Sequence, residues 1–311
     1  MAVIKKAPSD IAAKIAAYVL TAGFALLCIL PMWHVIMASL SDPIQLAIYE
    51  GFLFKPLKFS FEGYKLLFSY HNLWRSYFNT VVYTVSATTL GLVLDLLAAY
   101  VLSRKNLMFK RALTVFIIVT MLFNGGVIPL YLVVRTLNLT NTMGAMIIPA
   151  CCNAMSIIML KNGMESINDA IGEAAQIDGA GHVRILWQIM IPLTTSFMAT
   201  VILFNAIGHW NSWVNASMFI SASHKDLYPL QLIMRDILIS NSTEGVVSPS
   251  GYPITFYLAS LRVVMVVVGS LPLIILYPFM QKYFEKGIII GGVKGLSLIH
   301  ISEPTRPLYI S

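Results

Sequence analysis

Six apolar stretches, separated by polar or mixed segments, dominate the pattern of hydrophobic positions along the chain. Each is close to the roughly 20 apolar residues that a helix needs to cross a bilayer. The fourth is short and contains Pro149. We therefore predict an all-α membrane protein with six transmembrane helices. The predicted spans are Ile15–Leu40, Tyr77–Leu102, Ala112–Val134, Met143–Leu160, Leu193–Val214 and Tyr257–Phe279.

Composition agrees with this pattern. Of the 311 residues, 58% are hydrophobic and only 11% are charged, and the mean hydropathy is +0.77. A soluble domain carries about 25% charged residues, so lipid is the expected surrounding. The net charge of +7 does not indicate a nucleic-acid partner, because membrane proteins concentrate Lys and Arg on their cytoplasmic side.

The distribution of basic residues predicts the orientation in the membrane. Lys5, Lys6 and Lys14 precede the first span. This span is too long for a cleaved signal peptide, so we interpret it as an uncleaved anchor. Residues 1–14 would then form a cytoplasmic N-terminus. With six spans both termini lie on the same side. Lys and Arg are concentrated in the segments that would share that side, so we place these in the cytoplasm: the N-terminus, the Arg104–Arg111 turn, the Lys161–Pro192 loop and the Gln281–Gly295 segment.

The cytoplasmic loop of residues 161–192 is unusually long for a connection between two spans and has a helical pattern of its own. Its central part carries the acidic Glu173 and Asp178, and Gly179 and Gly181 follow. This order predicts a short helix, a glycine turn and a second amphipathic run. An amphipathic helix lying on the inner leaflet is the alternative, but such helices favour Lys and Arg on the polar face. The acidic face favours docking of a protein partner.

The spacing within this loop is similar to a motif of the inner-membrane permease subunits of ATP-binding-cassette (ABC) importers. That motif reads Glu-Ala-Ala, three residues, Gly, nine residues, then Ile-x-Leu-Pro. The chain departs from it at Ile191, where the motif favours Leu, and Asp178 resembles the sugar-permease version. The matching residues are Glu173, Ala174, Ala175, Gly179, Ile189 and Pro192.

Other segments resemble the carbohydrate-uptake branch of these permeases, and the resemblance covers most of residues 10–295. It is closest to the maltose-type family, within a branch of oligosaccharide (aldouronate-like) permeases. The segments are Phe123–Pro129, Tyr228–Gln231, Gln281–Phe284, Lys286–Gly287 and Gly292–Gly295.

The resemblance implies a type I ABC importer permease fold over residues 15–295 and a function in carbohydrate import, with an oligosaccharide expected. It also implies that the 161–192 loop forms a cytoplasmic coupling helix that enters a cleft of an ATPase subunit. The alanines would allow close entry, Glu173 would offer a carboxylate to a basic residue, and Gly179 would turn the chain. The implied partners are a second permease subunit in a heterodimer, two ATPase subunits and an extracytoplasmic sugar-binding protein.

The chain has no recognisable ATP site, and we do not expect it to be an enzyme. The glycine spacing nearest to a phosphate-binding loop is Gly287–Gly292, but Val293 stands where that loop needs Lys. ATP and Mg²⁺ are therefore expected on the partner ATPase, and no cofactor or metal on this chain. The segment after Gly295, residues 296–311, lacks helical periodicity and is interpreted as a non-native or disordered tail.

A few polar residues inside the spans are candidates for the translocation path. Asp95 is the only acid deep in a span, where a charge costs at least about 2.5–3.5 kcal/mol. It could face the path, pair with Arg262, or sit protonated in the helix bundle. Amides and a histidine near the span ends suit sugar hydroxyls, but equally suit interhelical hydrogen bonds. The candidates are Asp95, Asn124, Asn205, His209 and Asn211.

Two other transporter classes are alternatives. An ion-coupled secondary transporter would be expected to show inverted repeats and several intramembrane charges, whereas this chain has one buried acid and no clear repeat. A permease for a different solute, such as an osmolyte or an amino acid, is opposed only by the family resemblance.

Overall fold

The computed structural model describes residues 8–240 and 255–292, and the predicted tail lies outside these ranges. The described residues form helices and connecting loops, with one isolated β-bridge between Ser41 and Phe59 and no strand. The all-helical prediction is therefore confirmed. The chain divides into two compact units, made of the described parts of Met1–Tyr77 with Leu230–Pro272 and of Phe78–Pro229 with Leu273–Ser311.

Fifteen α-helices are described, together with a π-helical turn at Leu186–Met190 and a 3₁₀ segment at Ala222–Leu227. The helices are α1 (Pro8–Ser39), α2 (Pro43–Ile48), α3 (Glu62–Phe68), α4 (Leu73–Ser103), α5 (Lys110–Leu122), α6 (Val127–Thr136), α7 (Gly144–Ile147), α8 (Ala154–Glu165), α9 (Asp169–Ile177), α10 (His182–Ile185), α11 (Ile191–Leu193), α12 (Thr195–Trp210), α13 (Trp213–Phe219), α14 (Leu230–Ser240) and α15 (Thr255–Gly292).

Three of the predicted spans are single helices that are long and apolar enough to cross a membrane. They are the Ala13–Ser39 part of α1, the whole of α4, and the Phe256–Phe279 part of α15. Large apolar side chains of α1, such as Tyr18 and Phe24, are exposed on the chain surface. Such a surface is stable in a bilayer, because lipid tails are as apolar as the side chains themselves.

Two bends interrupt the apolar segments. The predicted third span is α5 followed by α6 at 109°. The predicted fifth span, Leu193–Val214, contains α12, and the His182–Leu193 segment, most of which was predicted as loop, meets α12 at 83°. At the first bend Gly126 has φ +87°, a conformation that favours glycine, and its N–H donates to Asn124 Oδ1 (2.9 Å). At the second bend Pro192 cannot donate a backbone hydrogen bond. Counting each bent pair as one span, the described residues contain up to five candidate spans, where the sequence pattern predicted six.

The prediction of a continuous fourth span is wrong. The segment contains the short α7, a break around Pro149, and then α8, which runs on to Glu165. Asn153 starts α8 as its N-cap, and its Oδ1 accepts hydrogen bonds from the backbone N–H groups of Met155 and Ser156. A proline followed by a strong N-cap interrupts the helix even where the composition stays apolar.

In the first unit the connection between α1 and α3 is tied to the end of α1. His34 Nδ1 accepts the backbone N–H of Leu53 (3.0 Å), and Trp33 Nε1 donates to the carbonyl of Phe54 (3.0 Å). Asp42 caps α2 through Oδ1. This long loop is therefore ordered, and it is held by hydrogen bonds rather than by a continuous helix.

In the second unit the C-terminal half of α4 forms the centre of a hydrophobic core. Side chains of α8, α10, the π-turn and α12 pack around it, and residues of the long loop pack against its edge. The fully or almost fully buried members of this core are Leu96, Ala99, Tyr100, Leu160, Met164, Ile185, Leu186, Met190 and Val201. The core supports the loop that contains the motif.

Candidate functional site

The motif helix α9 begins at a well-defined cap. Asn168 has an extended backbone, and its Oδ1 accepts the N–H of Ala170 (3.1 Å). Asp169 follows in the first turn, where a negative charge is favourable near the helix N-terminus. Gly172 is buried on the supported side of the helix, where a Cβ would be in ordinary contact with Arg104 Nη1 (3.6 Å). The predicted short helix is therefore present.

The helix ends in a Schellman motif, in which a glycine adopts a left-handed conformation. Gly179 has φ +83°. Its N–H donates to Gln176 O (3.0 Å), and the N–H of Ala180 donates to Ala175 O (2.9 Å). These two bonds satisfy carbonyls that would otherwise be unpaired at the helix end. Ala175 and Ala180 also pack against the core from either side of the turn, so the predicted glycine turn is confirmed.

The second half of the motif contains a π-turn that the sequence analysis missed. The N–H of Ile191 donates to Leu186 O, five residues back, across the Leu186–Met190 turn. The next residue is Pro192, whose ring would clash with a carbonyl four residues earlier in a regular helix. The wider turn accommodates the proline, so Pro192 was the available signal. Ile189 is half-buried and Pro192 is exposed at the corner that leads to α12.

The motif residues divide between two faces of α9. Glu173, Ala174 and Asp178 are exposed, whereas Ala175 faces the core of this chain. Exposed apolar residues extend the outer face, since Ile177 is 86% exposed. The expectation that both alanines enter a partner cleft therefore has support for Ala174 but not for Ala175, which packs inward because the Schellman turn places it against Ala180.

The inner side of α9 borders a groove of about 690 Å³ between this helix and the end of α4. In the groove Tyr100 shares a hydrogen bond with His182 Nδ1 (3.1 Å). The guanidinium of Arg104 lies over the Tyr100 ring, 4.4 Å from its centroid, which is a cation–π arrangement. The Tyr100–His182 hydrogen bond attaches α10 to α4, and the Arg104 guanidinium covers the same tyrosine; the sequence analysis did not anticipate these contacts.

Ion pairs link the end of α8 and the start of α9 to the α4–α5 connection. Lys105 pairs with Asp169. Glu165 accepts from Lys110 (2.7 Å) and from Lys161 (2.7 Å). Partial burial alone would raise the pKa of Glu165, but the hydrogen bonds from the two lysines hold this pKa below its usual value. The hydrogen bond to Asp169 raises the pKa of Lys105. Only the Lys161–Glu165 pair, with its i,i+4 spacing, was readable from the sequence.

Asp95 lies in α4, one helical turn after Gly91, and is fully buried. Its Oδ1 accepts the N–H of Asn153 at the start of α8 (3.3 Å), while its Oδ2 has no hydrogen-bond partner among the residues that the structure describes. Asp95 therefore holds the broken fourth segment. Arg262, the partner considered from the sequence, belongs to the other compact unit.

Three of the other path candidates make side-chain hydrogen bonds, and for Asn124 and Asn211 these bonds are local. Asn124 accepts the N–H of Gly126, and Asn211 donates to Ile207 O (2.9 Å). Asn205 is buried and accepts the hydroxyl of Ser156 (3.2 Å). His209 is half-buried in α12. The structure places Asn205, His209 and Asn211 on one helix and Asn124 at the bend after α5. Within the described ranges, no group of three His, Cys, Asp or Glu side chains could hold a metal.

The fold and the motif define a class of protein. Residues 87–290 match the family described as "Binding-protein-dependent transport system inner membrane component". The chain belongs to this family, so it is a membrane-embedded transport subunit and not an enzyme. The importer-permease resemblance stated from the motif is thereby confirmed.

Two of the similar proteins are named as permeases of sugar transport systems. The polygalacturonan/rhamnogalacturonan transport system permease protein YtcP of Bacillus subtilis (strain 168) is 36% identical over 273 residues, which cover 88% of this chain and 94% of that protein. Protein LplC of the same strain is 34% identical over 276 residues, 88% and 92% of the two chains. The arabinooligosaccharides transport system permease protein AraQ of Halalkalibacterium halodurans is 26% identical over 292 residues, 90% and 98% of the two chains.

Solved structures give the same class. A chain of a bacterial ABC transporter involved in the import of the acidic polysaccharide alginate superposes with a TM-score of 0.78 and 30% identity, covering 91% of this chain and all of that one. A chain of the alginate transporter in complex with a pentasaccharide-bound periplasmic protein has a TM-score of 0.56 and 13% identity, covering 88% and 94%. The second likeness concerns the fold alone.

Proposed function

We propose that this chain is the permease subunit of an ABC importer for carbohydrates, with an oligosaccharide as the substrate. The named relatives act on polygalacturonan or rhamnogalacturonan and on arabinooligosaccharides, and the structural neighbour imports alginate. All of these are polymers or oligomers of sugars. The chain would receive its substrate from an extracytoplasmic sugar-binding protein and would form half of the path together with a second permease subunit.

The exposed face of α9 carries this proposal. Glu173, Ala174 and Asp178 lie on the surface beside the strongly exposed Ile177, which together form an acidic and apolar surface suited to docking in a cleft. The proposed partner is an ATPase subunit whose cleft contains a basic residue that pairs with Glu173. Both termini and the 161–192 loop would then lie in the cytoplasm.

The mechanism follows from this arrangement. ATP binding would bring two ATPase subunits together, and this closure would displace the coupling helix of each permease. The two permeases would shift from inward-open to outward-open because the closed ATPases have a different affinity for the two states. Hydrolysis would reset the cycle. Asp95, Asn124, Asn205, His209 and Asn211 remain candidates for the path.

Uptake in proteoliposomes tests the proposal. The permease pair, the ATPase and the cognate binding protein are reconstituted, and labelled oligogalacturonides, arabinooligosaccharides and alginate oligomers are offered alongside amino acids and osmolytes. We expect ATP-dependent and binding-protein-dependent uptake of one oligosaccharide class. If only an amino acid or an osmolyte is taken up, the proposed carbohydrate substrate is wrong and the chain is a permease for that solute. Uptake that persists without the ATPase would contradict the importer class.

Replacement of Gly179 tests the turn that presents α9. No heavy atom lies within 4 Å of a Cβ at Gly179, so only its φ of +83° opposes a side chain. A left-handed conformation costs an ordinary residue about 1–2 kcal/mol, whereas Asn tolerates it better. We expect Gly179→Val to lower the uptake rate per permease by about five- to thirtyfold and Gly179→Asn to retain most of it. Equal uptake by both variants would contradict a role for the turn.

A further inference from the structure

Four charged side chains form a latch between α9 and the helices that support it. The latch consists of Lys105 and Lys110 on the α4–α5 connection, with Asp169 at the start of α9 and Glu165 at the end of α8. The two acids flank the corner at residues 166–168, and the two lysines flank the turn at the end of α4. Both pairs therefore cross from the motif loop to the same short connection.

The apolar contacts of α9 are made by small side chains. Gly172 is buried in α9, and Ala175 and Ala180 are partly buried against the core. Small side chains give little interlocking of the kind that sets helix position through ridges and grooves. The position of α9 along α4 therefore depends strongly on polar contacts, and the latch holds the α9 N-terminus on the same side as Glu173, which lies one turn after Asp169 and whose charge also favours the protonated Lys105.

The latch residues are too exposed to be important for stability. The side chains of Lys105 and Asp169 are 75% and 51% exposed, and those of Lys110 and Glu165 are 28% and 31% exposed. Exposed ion pairs contribute typically less than about 1 kcal/mol. Removing the lysines should leave the fold intact, because the core around Leu160 and Ile185 does not include them. Removing Glu165 also takes the partner from the buried Lys161, so the amount of folded acidic variant is measured alongside its transport. They are suited to a function that depends on position rather than on folding.

We propose that the latch transmits the displacement of α9 to α4 and α5, so that Lys105, Lys110, Glu165 and Asp169 are positioning residues for coupled transport. This inference rests on the proposed function, in which an ATPase moves α9. When α9 is drawn outward or along its axis, the two ion pairs pull on the turn between α4 and α5. The movement then reaches the membrane-spanning part of α4. Without the latch, the Tyr100–His182 hydrogen bond and the packing of Ala175 and Ala180 would still join the loop to the core around α4, but less of the α9 displacement would reach the α4–α5 turn.

The charges required by the latch are present at neutral pH. The pKa of Glu165 lies below its usual value, and the pKa of Lys105 lies above its own. The contribution of Glu165 is thus present above the unfolded-state pKa and is lost only as acid protonates this carboxylate. The contribution of Lys105 is lost only at strongly basic pH. Measurements at neutral pH therefore test the intact latch.

The reconstituted complex tests the latch through three readouts: co-purified ATPase per permease, ATP hydrolysis, and sugar taken up per ATP. The double variant Lys105→Gln/Lys110→Gln removes the basic side, and Glu165→Gln/Asp169→Asn removes the acidic side. We expect each to retain the ATPase and its hydrolysis but to lower sugar per ATP by about fivefold or more, a typical coupling effect. Lys105→Arg/Lys110→Arg keeps the charges and should retain coupling.

Two further measurements separate transmission from other roles. The quadruple variant should be no worse than Glu165→Gln/Asp169→Asn, because that double variant already removes both latch pairs together with the Lys161–Glu165 pair. Lys58→Gln removes an ion pair to Asp42 (3.9 Å) in the other unit and should leave coupling unchanged. The latch proposal is wrong if the ratio of sugar to ATP is unchanged in both double variants that remove charges, or if it falls only in the variant that removes the lysines. Either result leaves the proposed function standing. Loss of co-purified ATPase from the double variants would also overturn the latch proposal. A wild-type complex without ATP-driven uptake would overturn the proposed function and the latch together.

Discussion

Replacing Glu173 with lysine is expected to abolish sugar uptake and substrate-stimulated ATP hydrolysis while the permease still inserts and folds. Glu173 is exposed on α9, where it borders the groove beside α4 and its charge acts on that of Lys105, an exposed interaction that contributes little to the stability of the fold. A lysine there would face the basic residue that we propose in the ATPase cleft, and like charges at an interface cost several kcal/mol. Since about 1.4 kcal/mol is a tenfold change in affinity, we expect uptake to fall by at least about tenfold. The measurement is uptake and ATPase activity per permease in proteoliposomes.

The matched control is Glu50→Lys. Glu50 is an exposed acid in the loop between α2 and α3, and the change in charge is the same. We expect this variant to transport normally. The amount of each variant in the membrane and its elution as a single species report folding. Normal uptake by the Glu173→Lys protein would show that this face of α9 does not dock the ATPase.

Replacing Gly91 with alanine is expected to destabilise the chain, although alanine favours helices. A Cβ at Gly91 would lie 2.5 Å from the backbone carbonyl oxygen of Cys151, and a backbone atom cannot move aside as a flexible side chain does. Overpacking of this kind costs about 1–3 kcal/mol. We expect a thermal unfolding midpoint several degrees below that of the wild-type chain in detergent. The same contact brings Asp95, one turn further on, to the N–H of Asn153.

Gly23→Ala is the control for this prediction. Gly23 also lies in an apolar spanning helix, but nothing lies within 4 Å of a Cβ at this position. Alanine has a helix propensity about 1 kcal/mol better than that of glycine, so this variant should be as stable as the wild type or slightly more stable. If both alanine variants unfold at the same temperature, the close approach of α4 to the broken segment is not a constraint.

The loop of residues 161–192 was the part most readable from local sequence. The acidic residues and Gly179 predicted a short helix and its end, because capping and left-handed turns depend on a few neighbouring residues. The bend at Pro192 was harder to predict. Proline within an apolar run is compatible with a kink, a break or a π-turn, and the choice depends on what packs around the freed carbonyls.

The limits of the span prediction have the same origin. Apolar composition predicted α1, α4 and α15 well, but it could not detect the breaks at Gly126 and Pro149. A window of apolar residues reports that a segment prefers lipid or protein interior to water. It does not report whether the segment is one helix, because the hydrogen bonds of Asn124 and Asn153 that stabilise the breaks involve single side chains.

The sequence by itself determined the class of protein, the apolar helices and the loop with its acidic helix and glycine turn, because these depend on composition and on local backbone chemistry. Only the tertiary structure decided which face of α9 is outward, that Ala175 packs inward, that Asp95 holds the start of α8, and that Lys105 and Lys110 pair across the loop. Those contacts join residues about 60 positions apart, and no periodicity along the chain encodes such a distance.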